Sequence, residues 1–64
     1  NIVANAIISL VPAVPGLLAE GGHFIASGII DTRAQEVAEA LTKAGLTIAQ
    51  RKDKRGWVCF VCTR

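Results

Sequence analysis

Two cysteines near the end of the chain have a spacing that suits a metal or redox site. Cys59 and Cys62 form a C-x-x-C pair. At the start of a helix both thiols of such a pair face the same way and can form a redox or metal site. Here they lie within residues 57–63, an apolar run that predicts a β-strand. Side chains three apart on a strand point to opposite faces, so these thiols cannot bind one metal or pair with each other. We expect no metal and two free cysteines that pack as small hydrophobic residues, as in a reducing cytoplasmic setting.

The histidine and the basic run give no recognisable catalytic group. His23 has no serine, cysteine or carboxylate arranged with it as a triad, so we interpret it as a residue at the start of a strand. Four of the seven basic residues lie between Arg51 and Arg55. A solvated hairpin tip accounts for them, and contact with an acidic partner is the alternative. A net charge of +2 gives no sign of nucleic-acid binding.

Length and composition predict one small domain that belongs to something larger. A globule of this size buries only about 60% of the surface that its unfolded chain exposes, and two cysteines provide no disulfide framework. With 52% hydrophobic and 19% charged residues among 64, the chain is too apolar for a disordered segment. It begins with Asn1 and not with methionine. We therefore expect residues 1–64 to be a single fragment of a longer protein.

Residues 2–19 carry no charge and raise the question of a membrane span. Two prolines and a glycine interrupt the stretch, and no basic segment precedes it, so we favour a helix buried by a larger protein over membrane insertion. Pro12 suits the first turn of a helix but not its interior. This predicts a kink or restart near Val11 and a helix end at Leu18 or Ala19.

A strand and a helix follow. Residues 23–30 are apolar on both alternating faces and predict an interior strand covered by helices on both sides. Thr32 and Gln35 have the spacing of a capping box, which predicts the start of an amphipathic helix that stops at Gly45. Glu39 and Lys43 are spaced for an ion pair on its outer surface. The predicted buried stripe of this helix consists of Ala34, Val37, Leu41 and Ala44.

The last third of the chain predicts a β-hairpin. Residues 46–50 form a short strand, residues 51–56 a polar turn, and residues 57–63 a strand that is apolar on both faces. A strand that is apolar on both faces belongs inside a sheet and one that runs into charge belongs at its edge. The predicted order in space is therefore 23–30, 57–63, 46–50, with the last strand antiparallel to both neighbours.

This order of elements resembles the C-terminal half of a class I S-adenosylmethionine-dependent methyltransferase. The fold class is α/β, a Rossmann-like sheet with helix, strand, helix and a hairpin whose last strand is antiparallel and interior. Within that class, the sequence is similar to the bacterial methyltransferase that modifies large-subunit ribosomal protein eleven on lysine side chains and its N-terminal amine. The residues that carry this resemblance are Asn1-Ile2-Val3-Ala4, Leu17-Leu18-Ala19-Glu20-Gly21-Gly22, Ser27-Gly28-Ile29-Ile30, the 35–45 helix and Gly56-Trp57-Val58. Glu20 departs from the proline usual in the family.

The resemblance implies where a site would lie. In the family an asparagine stands beside the methyl group of the cofactor S-adenosylmethionine, and Asn1 matches it; the alternative is that Asn1 only caps its helix. Ser27 and Gly28, at the end of a buried strand, are expected to line the substrate cleft, although Gly28 also suits close backbone packing. No catalytic residue is assigned. The Gly-rich loop and the acidic residue that bind most of the cofactor in the family are absent, so we expect the fragment alone to be inactive.

Two further interpretations stay open at this stage. One is another class I methyltransferase, acting on a small molecule or RNA. The other is a non-catalytic α/β interaction module, because an exposed sheet edge and an apolar helix favour self-association. The resemblance implies a cytoplasmic enzyme whose partner is the ribosomal protein substrate, with no nucleic acid and no membrane.

Overall fold

The structure is a computed structural model, and it describes residues 2–64. One 3-10 turn, Val11–Ala13, joins the first helix to the second, and another, Asp31–Arg33, joins the first strand to the third helix. The helices and strands, in chain order, are α1 (Ile2–Leu10), α2 (Val14–Leu17), β1 (Phe24–Ile30), α3 (Ala34–Lys43), β2 (Thr47–Lys54) and β3 (Trp57–Thr63).

The first helical segment is interrupted where Pro12 predicts it. Pro12 lies in the 3-10 turn between α1 and α2, and the chain becomes extended at Leu18. In the described chain this segment is only partly covered: Ile2 is 87% exposed and Leu17 is 79% exposed, so its burial by a larger protein stays a prediction. Only one side of this segment meets the sheet, so its other apolar side chains face outward. No helix in residues 2–64 combines the length and the apolar character needed to cross a bilayer.

The three strands form one antiparallel sheet in the order β1-β3-β2. The predicted order and direction are confirmed, with β3 in the centre. β1 lies at one edge of this sheet, so an interior position for β1 would require a further strand beyond those described. That part of the interpretation stays a prediction.

A β-bulge interrupts β1. Ala26 pairs with Phe60 and Ile29 with Val58, which leaves two residues of β1 opposite Cys59 alone. Ser27 and Gly28 are these two residues, and Gly28 has a φ of +73°, which favours glycine. The bulge lets Ala26 and Ile29 both reach the core although they stand three positions apart.

The capping box that we expected at the start of α3 is wrong. The helix begins after the 3-10 turn, with Arg33 at the N-cap position and no side-chain capping hydrogen bond. Thr32 lies within this turn and not at the N-cap position, and the Asp31 N–H donates a hydrogen bond of 2.9 Å to the Gly56 carbonyl oxygen. The apolar stripe is confirmed, with Ala34, Val37 and Leu41 buried and Ala44 packed against them. Within the described chain Arg33 pairs with Glu36, and no ion pair joins Glu39 to Lys43.

The hairpin is longer and tighter than expected. β2 continues through the charged residues to Lys54, so residues 51–54 belong to the strand and not to a turn. Only Arg55 and Gly56 turn the chain, with φ values of +52° and +81°. Positive φ at both positions is the geometry of a type I′ turn, which matches the twist of a hairpin. An edge strand tolerates lysine and arginine, which explains how a basic run can be β-structure.

One face of the sheet carries the core. Alternate residues of β3, namely Val58, Phe60 and Cys62, are buried against the helices. The opposite face includes Trp57, Cys59 and Val61, and no helix of the described chain covers it. Helices of the described chain thus cover one face of the sheet, and the predicted cover on the other face of β1 stays a prediction. The buried cluster consists of Ala4, Val11, Val14, Ala26, Ile29, Ala34, Val37, Leu41, Leu46, Val58, Phe60 and Cys62.

Candidate functional site

Four segments meet around the C-terminal half of β1, and we call this region the site edge. It comprises the first turn of α1 (residues 2–5), the bulge at Ser27–Gly28, the turn at Asp31–Arg33 and the hairpin turn at Arg55–Gly56. The first turn of α1 lies beside the bulge. A Cβ atom built on Gly28 would lie 3.6 Å from Cγ1 of Val3. The site edge thus joins residues far apart in the sequence.

The bulge lies within β1 and not at its end. Ser27 stands three residues before Ile30, the last residue of the strand, and both bulge residues are exposed. The alternative role of Gly28, close backbone packing, does not explain the glycine, because 3.6 Å is an ordinary van der Waals distance. The positive φ of Gly28 explains why this residue is a glycine. The assignment of Ser27 and Gly28 to a substrate cleft stays a prediction.

Asn1 lies outside the described residues, so its predicted place beside the cofactor is not tested. The described helix begins at Ile2. Among its neighbours, Val3 packs next to Gly28, and Asn5 is bonded to the turn after β1. The first described turn of α1 therefore lies at the site edge.

Arg33 links its own turn to α1 and to α3, and the sequence interpretation missed this role. Its Nη2 donates a hydrogen bond of 2.8 Å to Oδ1 of Asn5 in α1. Its Nε and Nη2 donate bonds of 2.7 and 3.1 Å to the two carboxylate oxygens of Glu36. The hydrogen bond to Arg33 lowers the pKa of Glu36, and the same bond raises that of Arg33. The spacing of Arg33 and Glu36 was a usable signal for the ion pair, but nothing in the sequence pointed to Asn5.

The basic run has an internal ion pair. Nε and Nη2 of Arg51 donate hydrogen bonds of 2.8 and 2.9 Å to the two carboxylate oxygens of Asp53. The bond to Arg51 lowers the pKa of Asp53. The guanidinium of Arg51 also lies over the ring of Phe60, 5.8 Å from its centroid. The guanidinium of Arg51 is thus held by Asp53 and the ring of Phe60 on the core side of the sheet.

In the described chain the cysteines and the histidine form no metal-binding group. Cys62 is buried and Cys59 half-buried, on opposite faces as predicted, and both are free. Burial raises the pKa of the Cys62 thiol. His23 is exposed just before β1. Within residues 2–64 no cluster of histidine, cysteine or carboxylate side chains could hold a metal ion.

Comparison with known proteins shows one family throughout. The family model described as Ribosomal protein L11 methyltransferase (PrmA) matches residues 1–64. The chain belongs to this family. A ribosomal protein L11 methyltransferase from Desulforamulus reducens is 50% identical over 62 residues, which are 97% of this chain and 20% of the relative. The ribosomal protein L11 methyltransferase of Bacillus subtilis (strain 168) is 44% identical over 64 residues, which are 100% of this chain and 21% of the relative.

A solved structure supports the fold of the ribosomal protein L11 methyltransferase family for this chain. The crystal structure of a ribosomal protein L11 methylase from Lactobacillus delbrueckii subsp. bulgaricus matches with a TM-score of 0.89 at 23% identity. The match covers 94% of this chain and 31% of that one. The predicted Rossmann-like α/β fold of a class I methyltransferase is confirmed. The chain spans about a fifth of the length of the curated relatives it matches.

Proposed function

We propose that this chain forms the C-terminal part of the catalytic domain of an S-adenosylmethionine-dependent protein N-methyltransferase. Its substrate would be large-subunit ribosomal protein eleven, modified on lysine side chains and on the N-terminal amine. The observation that supports this most is the family match over all 64 residues. A cytoplasmic location agrees with this function, since ribosomal proteins are made there.

The described residues fit only the edge of a cofactor site. In residues 2–64 no Gly-rich loop leads from a strand into a helix, which is the arrangement that binds the phosphate or amino-acid part of a nucleotide-like cofactor. The exposed Ser27 hydroxyl and the polar side chains around the site edge suit a rim. We therefore assign the cofactor no contact in this chain except the one proposed for Asn1.

Methyl transfer to an amine requires a neutral nitrogen whose lone pair faces the methyl carbon. When bound, S-adenosylmethionine supplies that methyl group on a positively charged sulfur. In our proposal the side-chain carbonyl oxygen of Asn1 accepts an N–H of the substrate amine and so orients its lone pair without adding a charge. Ser27 and Gly28 line the cleft through which the amine approaches. Their exposure leaves room for a protein segment.

The 64-residue chain alone should neither bind the cofactor with useful affinity nor turn over. The reason is that a rim without the remaining contacts buries too little of the ligand. Calorimetric titration of the isolated chain with S-adenosylmethionine tests this. Micromolar affinity would contradict the proposal that the cofactor-binding half lies elsewhere.

A chimera tests the proposed function directly. The segment of the Bacillus subtilis relative that matches residues 1–64 would be replaced by this chain, which aligns over its full length. We expect the chimera to transfer labelled methyl groups to the ribosomal protein, with the unaltered relative as the control. A folded chimera that leaves the ribosomal protein unmodified but methylates RNA or a small molecule would favour a different class I methyltransferase.

The isolated chain should self-associate. β1 is an edge strand of the sheet that the described residues form, and Ile2 and Leu17 are exposed apolar side chains. Light scattering across a concentration series tests this expectation, and a clean monomer at high concentration would contradict it. In the chimera the same surfaces should no longer cause association.

A further inference from the structure

The positive charge of this chain is concentrated in one segment. Residues 51–55 hold four basic side chains and one carboxylate, whereas the rest of the chain holds three basic and four acidic ones. The segment is the exposed second half of β2 together with the first residue of the hairpin turn. The net charge of +2 therefore reflects this hairpin and not the surface as a whole.

The two faces of the hairpin differ in charge. Arg51 and Asp53 stand opposite Phe60 and Val58 on the core side, where they pair with each other. Lys52 stands opposite Cys59 and Lys54 opposite Trp57, and directly opposed residues share a face. Lys52, Lys54 and Trp57 therefore lie together on the face that no helix of the described chain covers. We call these three residues the basic hairpin face.

An exposed aromatic ring accompanies the two lysines. Trp57 is 51% exposed, and cross-strand pairing puts its side chain next to that of Lys54. Tryptophan is enriched at protein contact surfaces, where its ring supplies area, and charges around such a ring steer a partner of opposite charge. The protection of a sheet edge accounts for the two lysines, whereas Trp57 lies beside them on the central strand.

The charges are also not spread along β2, as they would be if they only protected the edge of the sheet. Residues 47–50 of β2 carry no charge although they lie on the same edge. The charges gather at the hairpin turn, which the Asp31 N–H holds to the end of β1 through the Gly56 carbonyl oxygen. Trp57 pairs with Ile30, three residues beyond Ser27, or about 10 Å along the strand. The basic hairpin face thus borders the site edge.

We propose that the basic hairpin face docks an acidic segment of the protein substrate beside the site edge. This inference rests on the proposed function, and it adds a substrate contact that residues 52, 54 and 57 make outside the reacting centre. Docking of this kind strengthens substrate binding and leaves the chemical step unchanged. It also makes substrate binding weaker at high ionic strength.

The test uses the chimera with the Bacillus subtilis relative, and Lys54→Glu is the main variant. We expect the KM for the ribosomal protein to rise by about tenfold, with kcat and the KM for S-adenosylmethionine unchanged. Raising the salt concentration should increase the KM of the unaltered chimera much more than that of the variant. Lys43→Glu is the matched control, because it makes the same change of charge on α3, and its KM should stay within twofold of the unaltered value.

Titration of the ribosomal protein into each chimera measures binding without turnover. An inactive chimera that still binds the ribosomal protein, and loses that binding with Lys54→Glu, would refute the proposed activity but support the docking surface. Equal affinities and equal KM values for the Lys54→Glu and unaltered chimeras would overturn the docking proposal. Binding of an RNA oligonucleotide that Lys54→Glu abolishes, with substrate affinity unchanged, would also overturn it. Lys54→Gln, which keeps the side-chain length, should give a smaller rise in KM in the same direction.

Discussion

Nη2 of Arg33 lies 2.8 Å from Oδ1 of Asn5 and joins the first turn of α1 to the turn that follows β1. Glu36 holds the same guanidinium from the other side with both carboxylate oxygens. A planar fork bound in this way has little freedom to turn. The position of the first described turn of α1 is therefore set in part by a side chain 28 residues away from Asn5.

The Arg33–Glu36 pair should be visible in a pH titration. The bond to Arg33 lowers the pKa of Glu36 from the ordinary 4.5, so the pair stabilises the fold above that pH and loses its effect as the pH falls through the lowered pKa. In Arg33→Gln we expect the pKa of Glu36 to return towards 4.5. NMR titration of the Glu36 side chain measures it. Arg51→Gln is the control, and it should raise the pKa of Asp53 without moving that of Glu36.

Gly28→Ala should destabilise the fold by about 1–2 kcal/mol, because an L-residue is strained at a φ of +73°. Steric contact adds little, since the new Cβ would meet Val3 at 3.6 Å. Gly16→Ala is the matched control: nothing lies within 4 Å of the Cβ built there, and alanine in a helix should stabilise it by about 0.5 kcal/mol. Denaturant unfolding measures both. Equal stability of the two variants would contradict the conformational role of Gly28.

Two isoleucines on opposite faces of β1 should respond differently to truncation. Ile29 is fully buried in the core, and Ile29→Ala should cost about 2–5 kcal/mol. Ile25 is 63% exposed on the other face, so in this chain Ile25→Ala should change the free energy of unfolding by no more than about 0.5 kcal/mol.

The same pair of variants tests whether another part of the full-length protein covers the second face of the sheet. In the chimera Ile25→Ala should then cost more than it does in the isolated chain, because the methylene groups would be removed from a buried place. Thermal unfolding of both forms gives the comparison. An equally small effect in both would show that this side chain stays exposed.

The two thiols should react at different rates. Cys62 is buried and its pKa is raised by that burial, which reduces the thiolate fraction, whereas Cys59 is only half-buried. We expect a thiol reagent to modify Cys59 first and Cys62 only as the protein unfolds. Mass spectrometry over time follows both sites, with Cys59→Ser as the control. Rapid formation of a Cys59–Cys62 disulfide without unfolding would contradict their placement on opposite faces.

The sequence predicted the order of the elements because hydrophobic period and turn residues report it directly. The break at Pro12, the buried stripe of α3 and the central place of β3 each follow from the side-chain pattern of one element. The length of β2 did not follow from its pattern. Charged residues are typical of a turn, and only the pairing with β3 across 51–54 makes them a strand.

The candidate site was less accessible from the sequence. Ser27 and Gly28 lie in a bulge inside β1, and a bulge depends on the partner strand, which a single segment does not reveal. The link from Arg33 to Asn5 depends on how α1 crosses the sheet. Thr32 and Gln35 had the right spacing for a cap, but the tertiary bond from Asp31 to Gly56 outweighed that local preference.

The bulge in β1 also fixes how this strand can assemble. A slip of β1 along β3 would have to move the positive φ of Gly28 onto Ala26 or Ile30, and both residues carry a Cβ that opposes it. Gly28 therefore favours one register, because only one alignment of β1 with β3 places a glycine at the position of positive φ. For an apolar strand at the edge of the described sheet, this constraint limits the number of wrong alignments that it can adopt while the rest of the sheet is still forming.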